Sequence, residues 1–300
     1  MQQLGGNNPA NMKCIEPAKN SDTERVLGMM WIPKEDVFTF LLTLRDDLRP
    51  LIDGPTVPTK RNVLKVVMSI FDPLGFVSPF IIHGKVIEQE IWRSKIDWDE
   101  KLLENIFFRW QQWLTVLREI ERIKLSRCYF PGYTPASFDS LELHVFVDAG
   151  EEACAAVGYV RIIDRGIPRS TRVASKTKVA PLKPLSIPRL ELVAAVIGAR
   201  LTKSIQEGHS IPIKRRVMWS DSSTVLSWIQ SDQRRYRQFV AYRVSEILNE
   251  TLMEEWRWLP TRLNVGYKMG QRTIVYGRLN TVDIVEALQP SSSVLINLIF

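Results

Sequence analysis

Three acidic residues, Asp148, Glu191 and Asp221, stand in settings from which they can reach a common point and share a metal ion. Asp148 closes the run LELHVFVDAG (141–150), and the small residues Ala149 and Gly150 after it leave space beside the carboxylate. Glu191 lies just inside a helical stretch that opens with Ser186 and Pro188, and Asp221 follows the short run RRVMWS. Phosphodiester hydrolysis by two divalent cations about 4 Å apart requires such a cluster of hard oxygen ligands, and Mg²⁺ suits them, with Mn²⁺ as a substitute. Each acid also has an ordinary reading. Asp148 suits a turn at a strand end, Glu191 complements the dipole near a helix N-terminus, and Asp221 can cap the helix after it.

The elements that must position these acids are legible from pattern. Leu141, Leu143, Val145 and Val147 alternate with Glu142, His144 and Phe146, the period of a half-buried strand. ACAAVGYVRII (153–163) predicts a second strand, a turn falls at 164–168, and STRVASKTKV (170–179) completes an antiparallel meander. Ser186 is expected to cap a helix over 188–206, with Pro188 in its first turn and Leu192, Ala195, Val196 and Ala199 facing inward. A strand over 215–220 delivers Asp221, and Ser222 and Ser223 start a helix through Trp228, with Ser222 as its cap. A helix over 237–250 and a strand over 256–259 follow. His144, within a strand, and His209, in a polar loop, are given no role.

Upstream, residues 1–24 are rich in Asn, Gly and Pro and are expected to have no fixed structure. RVLGMMWIPKEDVFTF reads as strand, turn and strand. Val63, Leu64, Val66, Val67 and Ile70 suit a helix that FDPLGFVSPF breaks, and HGKVIEQEIWRS suits another. Lys101 to Leu125 is the clearest helix, and its Trp110 and Trp113 fit core packing better than base stacking. The segment 128–140 reads as a linker. A net charge of +7 and a pI near 9.3 favour a polyanionic partner. Three widely spaced cysteines without a CxxC pair argue against a disulfide framework or zinc site and fit a reducing compartment. With no apolar run near the length of a membrane helix and no signal peptide, the chain is expected to be intracellular, cytoplasmic or nuclear, with no membrane partner.

Longer stretches carry a resemblance. HVFVDAG, VASKTKVAPLKPLSIPRLELVAAVIGARL, MWSDSSTVLSWI and WRWLPTRLNV resemble the ribonuclease H domain of BEL/Pao-type retrotransposon polyproteins, and VLGMMWIP and SIFDPLGFVSPFIIHGKVIEQEIW resemble the segment after the polymerase palm. The resemblance spans about 25–267. It implies an α/β fold, a ribonuclease H-like mixed sheet with flanking helices, preceded by a smaller α+β thumb/connection-like region. The implied division is a tail (1–24), the connector (25–127), a linker (128–140), the ribonuclease H-like domain (141–267) and a divergent tail (268–300). It also implies that Asp148, Glu191 and Asp221 are catalytic metal ligands for cleaving the RNA strand of an RNA–DNA hybrid. The remainder of a polyprotein is the further implied partner, within a virus-like particle for a cytoplasmic product.

Two departures stand out. No YxDD-like palm motif occurs, so DNA synthesis is not expected. The family pattern Asn-Val-Ala-Asp supplies a fourth carboxylate, whereas this chain reads Asn264-Val265-Gly266-Tyr267, and residues 256–282 hold no acid to replace it. A neutral phenol is a poor Mg²⁺ ligand, so impaired turnover is expected.

Basic residues crowd the predicted second and third strands (Arg161, Arg165, Arg169, Arg172, Lys176, Lys178) and flank Asp221 (Lys214, Arg215, Arg216, Arg234, Arg235, Arg237). Of these, Arg172, Lys176, Lys178, Arg215, Arg216, Arg234 and Arg235 are the candidate phosphate contacts, with a merely solvated basic face as the alternative. Two further functions compete. VFVDAG with AAVIGAR resembles a retroviral-type aspartic peptidase, a label this retrotransposon region has carried, in which Asp148 would pair with its copy in a dimer. The last is a non-catalytic nucleic-acid-binding remnant.

Overall fold

The structure, a computed structural model, describes residues 24–26, 29–42, 48–54, 56–132, 141–232 and 235–266. The tail at 268–300, most of the tail at 1–24, most of the linker, Arg234 and Tyr267 lie outside the described residues.

Two sheets organise the chain. The first is antiparallel, in the order β1 (Glu24–Val26), β2 (Met29–Ile32), β3 (Val37–Phe40), β4 (Leu125–Ser126). Helices α1 (Arg49–Asp53), α2 (Lys60–Ser69), α3 (Ser78–Ser94) and α4 (Glu104–Glu119) accompany it. Trp110 and Trp113 of α4 are fully buried in this core, and the Trp113 indole donates to the Phe80 carbonyl at 2.8 Å. Their role is packing. Helix α3 begins earlier than expected: Pro79, read from sequence as a breaker, sits in its first turn, where a missing N–H costs nothing.

The second sheet comprises β5 (Leu141–Ala149), β6 (Ala153–Asp164), β7 (Ile167–Val179), β8 (Ile213–Ser220) and β9 (Trp256–Trp258), ordered β7-β6-β5-β8-β9. The first three strands form the antiparallel meander, while β8 runs parallel to both β5 and β9. Helices α5 (Ile187–Glu207), α6 (Ser223–Gln230) and α7 (Gln238–Glu250) flank it. Leu143, Val145 and Val147 meet α5 residues Leu192, Ala195 and Ala199 in one apolar core.

Strand β5 is buried on both faces rather than half-buried. Its second face carries Phe146, covered by Tyr159, Leu259 and Val265, with Trp219 stacked alongside. The polar residues there are absorbed by pairing. Glu142 binds Arg161, and His144 Nδ1 accepts the Trp219 indole N–H at 3.1 Å. His209 likewise serves structure, against the Ile205 carbonyl and the Tyr129 hydroxyl.

Close contact between α5 and β5 depends on Gly198, where an added Cβ would lie 2.4 Å from Val147 Cγ1. Gly198→Ala is therefore expected to cost about 1–3 kcal/mol, the scale of an overpacked core, readable as a lowered denaturation midpoint. The same position bears on the peptidase reading. AAVIGAR lies wholly within α5, whereas that reading requires an extended hydrophobic-Gly segment.

The two sheets are not independent bodies. The loop 72–78 lies along the edge of β7: Ser175 N–H donates to Leu74 O at 2.8 Å, and the Ser78 and Ser175 hydroxyls are 2.8 Å apart. The Asp72 carboxylate accepts the Phe76 and Val77 amides, both at 2.8 Å, and holds the loop's shape.

Candidate metal centre

Asp148 is the eighth residue of β5, the central strand, and Asp221 directly follows its parallel neighbour β8. Parallel pairing of β5 with β8 brings both strands' C-terminal ends to the same edge of the sheet. Glu191 comes from the second turn of α5, which crosses the core face of those strands. Cys154 helps fix that turn by donating its thiol to the Leu190 carbonyl at 3.4 Å. Ser186 stands at the N-cap of α5, but its side chain makes no capping bond, so the helix start rests on Pro188 instead. Ser222 does cap α6, accepting the Val225 amide at 3.4 Å.

The three acids meet. One carboxylate oxygen from each lies within 4.8 Å of the others. Asp148 and Glu191 are buried at 6% and 8% exposure, and Asp221 is half-buried. Burial, followed by the charge of Asp221, pushes the Asp148 carboxyl up to about 7, with the Ala149 amide opposing. Burial also pushes Glu191 up to about 8, reinforced by Asp148 and Asp221. Glu191 Oε2 is fully buried and has no hydrogen-bond partner among the described residues. A buried carboxylate oxygen without a donor is costly, and crowded like charges raise that cost. A divalent cation bound by all three would relieve both, so the donor set fits a hard cation such as Mg²⁺. The nearby Cys154 thiol, pushed up to about 12 chiefly by burial and then by Glu191, stays protonated and is not part of that set.

The segment after β9 completes the surroundings. Asn264 is 3% exposed and donates from Nδ2 to Asp221 Oδ1 at 3.2 Å and to Val147 O at 2.9 Å, while its Oδ1 accepts the Gly266 amide at 3.0 Å. Gly266 lies against Asp148, so close that an added Cβ would stand 3.2 Å from the Asp148 Cβ. Trp258 is 56% exposed, with its indole N–H donating to the Asp221 carbonyl at 3.1 Å. Beside it a groove of about 520 Å³ runs between α6 and β9, lined by Ser223, Leu226, Ser227, Gln230, Ser231, Trp256, Arg257 and Trp258.

A family model described as the Pao retrotransposon-like RNaseH-like domain matches residues 59–222, more than half of the chain and all three acids. The chain belongs to this family. The match begins at the start of α2 and so takes in α2, α3 and α4, of which α3 lies against β7. The domain is thus a ribonuclease H-like mixed sheet with flanking helices, preceded by a smaller sheet-and-helix region. Among solved structures the chain is similar to RNase H1 from the halophilic archaeon Halobacterium salinarum NRC-1, at 10% identity over 43% of this chain and 91% of that one, with a TM-score of 0.27. It is also similar to the N-terminal RNase H domain of a Mycobacterium tuberculosis protein, solved as a maltose-binding-protein fusion, at 13% identity over 50% and 99%, with a TM-score of 0.28. No curated protein matches.

The basic residues of this Pao-type domain separate into two groups. Arg172 is a correction: it is 4% exposed, donates to Phe76 O and packs its guanidinium over the Phe76 ring. It welds the 72–78 loop to β7 and offers nothing to an outside phosphate. Arg161 is likewise interior, paired with Glu142. Arg216 is half-buried and spends its guanidinium on Glu255, at 2.8 and 3.1 Å, and on Gln206 at 2.9 Å. Lys178, Arg215 and Arg235 are exposed, and so is Lys176, which reaches Pro73 O at 3.2 Å. Sequence reading missed Asn264 and Trp258. The pattern WRWLPTRLNV offered a signal for both, an alternating aromatic strand followed by a polar residue in an apolar turn. No helix among the described residues is long and apolar enough to cross a membrane.

Proposed function

We propose that this chain is a Mg²⁺-dependent ribonuclease H acting on the RNA strand of RNA–DNA hybrids, with turnover impaired by the loss of a fourth carboxylate at Tyr267. One observation carries the reading: Asp148, Glu191 and Asp221 converge within 4.8 Å at the C-terminal ends of β5 and β8. These residues would hold the cation, with Mn²⁺ as a substitute. Such an ion polarises a phosphoryl oxygen and lowers the pKa of bound water. Burial and mutual repulsion leave Asp148 and Glu191 in need of a counter-charge, while Asn264 leaves one Asp221 oxygen clear of its amide. The exposed Trp258 and the hydroxyl-lined groove give a nucleic-acid strand a surface that continues directly from Asp221. The domain division at 128–140, the polymerase-derived origin of the connector and membership of a longer polyprotein belong to this proposal.

The direct test is cleavage of a labelled hybrid in Mg²⁺ and then Mn²⁺, beside Asp148→Asn. Slow metal-dependent cleavage that Asp148→Asn removes is the expected result. A folded protein that cuts in neither metal, and that gains nothing from an acid restored at position 267, would sink the catalytic reading and leave a binding remnant.

Substrate grip gives a second expectation. Phosphate contacts release counterions, so each one lost flattens the dependence of log affinity on log salt by about 0.9 on a duplex. Lys178→Ala, Arg215→Ala and Arg235→Ala should each weaken hybrid binding and reduce that slope in a fluorescence-anisotropy titration. Arg172→Ala should leave the slope unchanged and lower stability instead, because it removes a buried bond.

A further inference from the structure

We infer that Asn264 is a positioning residue for the acid cluster: its carboxamide ties the Asp221 carboxylate to the end of β5, so that the three acids keep one cation-binding arrangement. The inference rests on the metal-binding reading above. Asp148 and Asp221 come from strands separated in sequence by β6, β7 and α5, and their like charges repel one another unless something opposes it. Asn264 touches both strand ends. Its Nδ2 bridges Asp221 Oδ1, at 3.2 Å, and the carbonyl of Val147, the residue before Asp148, at 2.9 Å.

A single NH₂ group donating in two directions is geometrically demanding, and the remaining end of the amide is fixed as well. Asn264 Oδ1 accepts the Gly266 amide at 3.0 Å, which prevents the side chain from flipping, since a flipped amide would set Nδ2 against an N–H. The residue is 3% exposed, so water cannot replace these bonds. Asp221 is the one half-buried member of the trio and the one that leaves its strand at once, with Ser222 already capping α6. It therefore has the greatest need of an outside anchor. A bond to Oδ1 leaves Oδ2 to face a cation and uses the carboxylate's own acceptor capacity without adding charge. Partners that orient metal ligands in this way typically change metal affinity by about 10–100-fold when removed.

The test is Mn²⁺ affinity of the full chain, read from the free-ion electron paramagnetic resonance signal, without substrate. Asn264→Ala should weaken Mn²⁺ binding by about 10–100-fold, and Asn264→Ser should do the same while retaining a polar group near Val147 O. Circular dichroism melts report whether each variant folds. The decisive comparison is a double-mutant cycle with Asp221→Asn. If Asn264 acts through Asp221, its removal costs little once Asp221 is neutral. An equal loss in both backgrounds would assign Asn264 to general structure and overturn the inference, as would unchanged affinity in a folded variant or loss of fold in both variants. A wild-type chain that takes up no Mn²⁺ would overturn the metal-binding reading itself, a result the variants cannot produce.

Discussion

Replacing Tyr267 by aspartate should raise hybrid cleavage by on the order of 10²-fold, equivalent to ~2.7 kcal/mol of barrier, and Asp148→Asn should abolish the gain. Asn264 and Gly266 press the chain after β9 against Asp148, with the Gly266 backbone so near that no larger residue fits without displacement. Residue 267 follows immediately. A carboxylate introduced there adds a hard ligand of the kind the family pattern supplies, whereas the native phenol is neutral near pH 7. The measurement is single-turnover cleavage of a labelled hybrid by the wild type, Tyr267→Asp, Asp148→Asn and the double variant. No gain from Tyr267→Asp, in a protein that binds hybrid normally, would mean that impairment has another source.

The second large effect concerns stability and pH. Asp148 and Glu191 ionise in the folded, metal-free chain only near pH 7 and 8, well above ordinary carboxyls, because burial and neighbouring acids disfavour the charge. Below about pH 3 both are protonated whether folded or unfolded, and neither weakens the fold. As pH rises from there through about 8, the unfolded chain releases these protons first, so the folded state binds more protons and loses stability. Metal-free protein should melt at progressively lower temperature across this window. Asp148→Asn should flatten the loss and raise the melting temperature at pH 8, by ~1–3 kcal/mol of stability, or about 2–4 °C for each kcal/mol at this size. Mg²⁺ should restore the wild type at pH 8 and do little for Asp148→Asn. Parallel pH profiles for the two proteins would show that the acids are not coupled as the geometry requires.

Much of the site was legible because its parts lie at the ends of regular elements. Alternation located β5 and therefore Asp148. Pro188 and the apolar face of 192–199 located α5 and Glu191, and the short run before Asp221 located β8. Resemblance tied the three together, as no local pattern predicts that β5 and β8 pair in parallel. What escaped depended on partners remote in sequence. Arg172 looks like any exposed strand arginine until the 72–78 loop is placed over it. Glu142 and His144 look like the solvent face of a strand until Arg161 and Trp219 close on them. Asn264 showed only as a polar residue in an apolar turn, and its importance comes from contacts 43 and 117 residues away. Pro79 misled for a different reason: the same ring that interrupts a helix interior is welcome in a first turn.

The seam between the 72–78 loop and β7 also has a temporal meaning. Ser175 and Leu74, bonded through their backbones, are about a hundred residues apart, and the last strand of the meander ends only at Val179. A ribosome must therefore expose about a hundred residues beyond Leu74 before Arg172 can find Phe76 and Asp72. Contacts of such long range form late and slowly. Throughout that interval a chaperone or a protease meets an uncovered 72–78 loop, and the time to finish β7 sets how long that vulnerability lasts.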